Sequence, residues 1–240
     1  MANQSSMNTL RFLSGSWLKL IAVVAMLLDH AALILGPEIG LLHTPLIVFG
    51  GTQFTAFFLF RKVGRLAFPL FCFLLAEGYR HTRNRVKYGI GLLLFALLSE
   101  IPFNLMLGGT VLYPAKQNVF VTLSFGLLLL WIYDRDWKEI WKALGFLAVA
   151  LVTVLVKADY GLQGALLVLL LHALRQKPAL RMILSYPLLS GGVAAFAAFL
   201  PISLYNGQRG FIRSKGLKYG FYLFYPVHIM ILWIIKTYVL

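Results

Sequence analysis

Eight stretches of the chain are written almost wholly in apolar residues and separated by short polar turns. They cover 17–36, 63–80, 86–107, 118–133, 139–157, 160–174, 179–200 and 220–239. A helix needs about 20 apolar residues to cross a bilayer. The pattern therefore predicts an all-α fold, a polytopic transmembrane helix bundle of about eight helices forming one membrane domain over 1–240. The run at 160–174 is short and implies tilt or a locally thinned bilayer. The stretch 41–60, LLHTPLIVFGGTQFTAFFLF, is apolar but broken by Pro45, Gly50 and Gly51. It reads as a re-entrant or interfacial piece leading into the second helix, a backbone that protein must cover at membrane depth. The sequence shows no internal repeat, coiled-coil heptad or low-complexity tail.

Composition agrees with the pattern. The chain is 60% hydrophobic and 12% charged, with a mean hydropathy of +0.81. Soluble domains are about 45–50% apolar and about 25% charged. The formal net charge of +14 would suggest nucleic acid in a soluble protein. Here the basic residues sit between apolar runs, where they set topology and meet anionic lipid headgroups. No basic stripe on a soluble fold exists, so no nucleic-acid partner is expected. Cys72 is the single cysteine; it forms no disulfide within the chain and reads as a packing residue. The opening MANQSSMNTL is polar and uncharged, a poor signal-peptide start, so the first apolar run is expected to be a retained helix.

The turns give an orientation. RHTRNRVK at 80–87 is the densest basic cluster; the turns 134–142 and 174–181 are basic as well. With eight alternating helices these fall on one side, which is then cytoplasmic, as are both termini. The loop 201–219, with Arg209, Arg213, Lys215 and Lys218, falls on the other side and breaks the rule.

Ionisable residues inside apolar runs are costly and mark functional sites or buried pairs. Asp29 and His30 lie side by side in the first helix, pointing about 100° apart, so a third group is expected to bridge or pair with each. A neutral imidazole is what a general base needs. The bland alternative is an interhelical hydrogen bond worth about 1 kcal/mol. Arg65 needs an anionic partner, such as Asp29, Glu100 or a bound ligand. Glu77, twelve residues on, shares its helix side but lies too far to pair. Arg80 and Arg83, with His81 and Arg85, follow the positive-inside rule and are also suited to the phosphates of an anionic cofactor. In SEIPFN, Pro102 kinks the third helix, so Glu100 and Asn104 are expected to line a cavity. Asn118 reads as a helix cap. Asp159 favours a helix dipole as a structural residue. Pro226 kinks the last helix, where Tyr225 and His228 also lie. His43 and His172 read as interfacial. No metal-binding, Walker A, GxGxxG or GxSxG motif occurs, and no metal site is expected.

LKLIAVVAMLLDH, GRLAFPLFCFLLAEGYRHTRN, LLLFALLSEIPFNLML, NVFVTLSFGLL, ADYGLQGALLVLL and FYLFYPVHIMIL, in that order, resemble the TraX family of bacterial inner-membrane proteins. The resemblance covers about 18–235. It implies a multi-pass protein of the bacterial inner membrane that acetylates the amino terminus of a pilin subunit. The family is also similar to wider membrane acyltransferases, among them the acyltransferase-3 family, in which a basic residue precedes a histidine by the spacing of Lys19 and His30. The implied chemistry takes acetyl from acetyl-CoA to an amine or hydroxyl of a pilin-like peptide, small molecule or glycan. By resemblance, His30 is the catalytic histidine, Asp29 its orienting partner, and Arg65 the group that handles the anionic donor. Lys19 joins Arg65 as a donor-binding residue. Donor contacts from Glu77, Arg80 and Arg83, and cavity roles for Glu100, Asn104, Tyr225 and His228, are read from the residues. No serine or cysteine stands out as a nucleophile, so direct transfer is expected, with a histidine-acetyl intermediate as the alternative. Two other classes compete: a proton- or anion-coupled transporter, and a non-catalytic assembly partner. A transporter predicts paired broken helices in repeated halves, and the sequence has none.

Overall fold

The computed structural model describes residues 11–240. The reading of MANQSSMNTL falls on residues 1–10, outside the described part. The fold is all-α apart from one small hairpin. It divides into two compact units: the described residues up to Phe71 with Val193–Leu240, and Cys72–Gly192.

The first unit is built on α1, Gly15–Leu35, α2, Ala56–Gly64, and the last helix, α11, Lys215–Tyr238. The helix α1 packs against both others. With α2 the pairing is antiparallel: a Cβ on Gly36 would meet the Phe57 ring, and one on Gly64 would overlap Asp29. Small residues let helices in lipid approach closely, and these two glycines set the approach of α1 and α2. With α11 the pairing is parallel. At the start, the Gly15 and Ser16 amides donate to the Gln208 and Arg209 carbonyls at 2.8 and 3.0 Å. The Ser16 hydroxyl donates to Arg209 O and accepts from the Ile212 amide, both at 2.8 Å. The backbone of the 201–219 loop thus satisfies the first amides of α1, which otherwise lack partners. Ser214 then caps α11 by accepting from Leu217 N.

Between α1 and α2 the stretch 41–60, expected to be re-entrant or interfacial, is built of short elements. It forms a single 3₁₀ turn, Gly40–His43, an antiparallel hairpin of β1, Pro45–Phe49, and β2, Thr52–Thr55, and then α2. Gly50 and Gly51 have φ of 55° and 80°. Two successive positive φ values are what a two-residue hairpin turn requires. The flanking Leu, Ile, Val, Phe and Thr suit strands.

The second expected span, 63–80, is broken. The helix α2 ends at Gly64 and α3, Ala67–His81, follows after a turn at Arg65 and Leu66. Pro69 explains the break: it has no amide for the Arg65 carbonyl four residues back, and its ring crowds that carbonyl. The expected span 179–200 is broken too. It becomes α8, Pro178–Ser185, a 3₁₀ turn at Tyr186–Leu188, α9, Gly192–Phe196, and α10, Phe199–Ser203. Pro187 and the positive φ of Gly192 interrupt it.

The other unit keeps its predicted helices nearly to the residue: α4, Arg85–Gly108, α5, Val119–Tyr133, α6, Glu139–Val156, and α7, Gly161–Ala173. At its centre, α5 packs on α4, α6 and α7. Leu129, Ile132, Val149 and Ala165 form a core with Phe125, Trp131 and Phe146 against it. Gly126 faces Val168 so closely that a Cβ would clash. Outer faces stay apolar: Leu93, Leu94, Leu97 and Leu98 of α4 and Leu147, Leu151 and Leu155 of α6 are all more than half exposed. An exposed apolar face of that extent marks a membrane contact. The helices α1, α4, α6 and α11 are long and apolar enough to cross a bilayer. The chain is a helical membrane protein.

Candidate active site

The first unit brings side chains of α1 and α11 together. His30 of α1 and His228 of α11 meet nitrogen to nitrogen, with Nδ1 of His30 2.7 Å from Nε2 of His228. Their rings are within 17° of parallel and their centroids are 4.9 Å apart. That separation is close to the N···N distance plus the two ring radii. The rings therefore lie end to end and share a proton rather than π faces. On its other side His228 Nδ1 donates to the Phe224 carbonyl at 2.5 Å, and its ring stacks on Phe224 at 4.6 Å. Tyr225 is buried and turns its ring edge-on to both imidazoles, at 5.9 and 6.0 Å. His228 is 5% exposed and His30 is half-buried. Among the described residues nothing bonds His30 Nε2.

Asp29 turns to α2. Its Oδ2 lies 2.8 Å from Arg61 Nη1, and both side chains are mostly buried. Close approach at Gly64 brings that pair together. The expected ion pair of Arg65 with Asp29 or Glu100 does not form. Asp29 is held by Arg61, and Glu100 accepts a bond from Asn118 Nδ2 at 2.5 Å. Arg65 is half-buried just past the end of α2 and has no ion pair among the described residues. Lys19, half-buried on α1, has Arg209 and Lys218 within electrostatic reach.

The remaining sequence candidates lie in the unit Cys72–Gly192. Arg80 is on Glu77 at 2.7 Å, a surface pair within α3, and His81 is 3.7 Å from the same carboxylate. Arg83 is exposed. Asn118 caps α5 through Phe120 N and also binds Ala96 O, so its bond to Glu100 ties α4 to the start of α5. Asn104 is buried and donates to Val111 O at 2.9 Å, tying the end of α4 to the turn that follows. Asp159 pairs with Lys116 at 2.6 Å.

The family model described as TraX protein matches residues 14–236. The chain belongs to the TraX protein family. A curated relative, the probable fimbrial assembly protein FimC, serogroup H1, of Dichelobacter nodosus, is 32% identical over 247 residues, covering 91% of this chain and 94% of its own. No solved structure matches the chain.

Two features of this TraX chain escape a reading of the sequence. Arg61 falls between the apolar runs at 41–60 and 63–80; its spacing of four from Arg65 was the available signal, since both lie on one helix face. The other is a second Asp–His pair. His172 is 4% exposed and its Nε2 is 3.2 Å from Asp134 Oδ1, while Arg85 reaches the other Asp134 oxygen at 3.4 Å and lies over the Tyr79 ring at 4.4 Å. The interfacial reading of His172 is thus corrected: Gly164, Val168 and His172 form one buried stripe at helical spacing. Chemically the two pairs differ. His172 Nδ1 is buried without a hydrogen-bond partner, while His30, whose Nε2 has no bond among the described residues, is only half-buried.

Proposed function

We propose that this TraX-family protein is a multi-pass acetyltransferase of the bacterial inner membrane, moving acetyl from acetyl-CoA to the N-terminal amine of a pilin-like protein. The observation that carries the reading is His30: one ring nitrogen held, the other open, inside an otherwise apolar helix. The amino-terminal acetylation implied by the family resemblance and the fimbrial assembly name of the relative support the acceptor. Termini on the cytoplasmic side follow from the basic turns.

The step balances without an acyl-enzyme. The acceptor nitrogen lone pair attacks the thioester carbonyl carbon, forming the N–C bond. His30 Nε2 takes the proton that the amine sheds. The tetrahedral oxyanion collapses, the C–S bond breaks, and the proton on His30 passes to the departing thiolate sulfur. Products are the N-acetyl amine and free coenzyme A.

Donor phosphates need fixed positive charge. Lys19, near Arg209 and Lys218, and Arg65 supply it in the same unit. Lys19 precedes His30 by eleven residues, three turns and about 16 Å along one face of α1. A long flexible arm between phosphates and thioester bridges such a gap.

The test uses purified protein in lipid nanodiscs with labelled acetyl-CoA and a pilin N-terminal peptide, followed by mass analysis of the peptide terminus. The wild type is expected to acetylate the terminal amine and His30→Ala to lose the activity. Full activity in that variant, or no transfer by the wild type, would sink the proposal.

A further inference from the structure

The proton positions around His30 can be worked out from its neighbours outward. A carbonyl oxygen only accepts, so the 2.5 Å contact with Phe224 O places a proton on His228 Nδ1. The 2.7 Å gap between His228 Nε2 and His30 Nδ1 holds one proton, since two facing N–H groups would collide. Two arrangements remain. In one, His228 carries both of its protons and is a cation. In the other, His228 Nε2 is bare and His30 Nδ1–H donates to it. The first puts a permanent charge on a 5% exposed ring in an apolar span, with no carboxylate paired to it among the described residues. The second needs no charge and satisfies every polar atom of His228.

We infer that His228 is a positioning residue, which by accepting from His30 Nδ1–H keeps the bare lone pair of His30 on Nε2, the nitrogen that faces the reaction. The inference rests on His30 being the base of the proposed transfer. The partner atom of a histidine decides which ring nitrogen is protonated. Catalytic histidines are commonly oriented by a carboxylate; here the neighbouring carboxylate is committed to Arg61 and an imidazole does the orienting. When His30 takes a proton on Nε2, its Nδ1–H already points at a lone pair, so the imidazolium forms with no ring rotation. The near-coplanar ring pair and the Phe224 stack hold that alignment.

The deciding measurement reads the tautomer without needing turnover. Protein labelled with ¹⁵N-histidine is placed in nanodiscs, and two-bond ¹H–¹⁵N correlations distinguish bare from protonated ring nitrogens. His30 is assigned by the signal lost in His30→Gln. The expected result is Nδ1–H with bare Nε2 in the wild type, and a shift toward Nε2–H or a mixture in His228→Phe. In the kinetic arm, His228→Phe is expected to lose about 10- to 100-fold in kcat, the usual cost of an outer orienting group, with KM little changed. His228→Gln, whose side-chain carbonyl can accept the same proton, should regain most of that loss. A wild-type His30 protonated on Nε2 overturns the inference even with transferase activity intact. An unchanged His30 tautomer in His228→Phe overturns it too. If the wild type transfers no acetyl, the proposed function fails, while the tautomer is still read. Should His228→Phe not fold, the wild-type spectrum and the Gln variant still decide.

Discussion

The two units each hold an aspartate and a histidine in polar contacts between helices, and use them in opposite ways. In one, Asp134 bridges His172 and Arg85 at the ends of α5, α7 and α4, a clamp whose imidazole is buried edge-on to the Tyr79 and Tyr133 rings. In the other, Asp29 and His30 are neighbours in sequence but part company: the carboxylate goes to Arg61 and the imidazole to His228. An acid beside a histidine is therefore not enough to make a reactive pair. What separates a clamp from a base is whether a ring nitrogen is left open where a reactant can reach it.

The comparison is sharpest in activity. His30→Gln should lower acetyl transfer by at least about 100-fold, the scale of a general base, with thermal stability little changed. His172→Gln should leave transfer near wild type and lower the melting temperature instead. If the two variants behaved alike in the assay, the distinction would collapse.

Next in size is Asp134→Ala. It strips both His172 and Arg85 of their acceptor and should destabilise the protein by about 1–3 kcal/mol, as expected for lost hydrogen bonds to a charged group. Thermal unfolding in detergent measures this, and an unchanged midpoint would mean that the clamp carries no weight.

A similar loss, about 1–3 kcal/mol from overpacking, is expected for Gly64→Ala, whose new methyl meets Asp29. Because that contact sets the Asp29–Arg61 geometry, the variant should also reduce transfer. Gly126→Ala, against Val168 in the other unit, should cost stability while sparing turnover per folded molecule. Equal kinetic damage from the two glycine variants would argue against separate roles.

The smallest effect is expected for Lys236→Ala. Its pair with Glu38 spans 3.8 Å and is about two-fifths exposed on each side, so it should contribute under about 1 kcal/mol.

Hydropathy made most of this architecture legible, because lipid demands long apolar helices and leaves few alternatives. The ends of α1, α4, α5, α6 and α7 are where the apolar runs stop. Local breaks were harder. Pro69 acts on a carbonyl four residues earlier, so the end of α2 lies before the residue that causes it. The Gly50–Gly51 turn was visible as an interruption, but its hairpin geometry depends on backbone angles. In the site, Asp29 and His30 stood out by cost alone. Their true partners did not: His228 is 198 positions from His30, and Arg61 lies in a stretch read as connecting chain. Pairing between distant helices is set by packing, and one sequence does not contain it.

The bonds between the start of α1 and the 201–219 loop reach further than capping. His30 lies fourteen residues beyond Ser16, and His228 fourteen beyond Ser214. Each count starts at the beginning of its helix, the two starts are tied through the Ser16 hydroxyl to Arg209 and Ile212, and the imidazoles meet about 21 Å further on. One residue inserted in either stretch would lift its imidazole by about 1.5 Å and swing it by about 100°, parting the rings, whereas equal insertions in both would move the pair together.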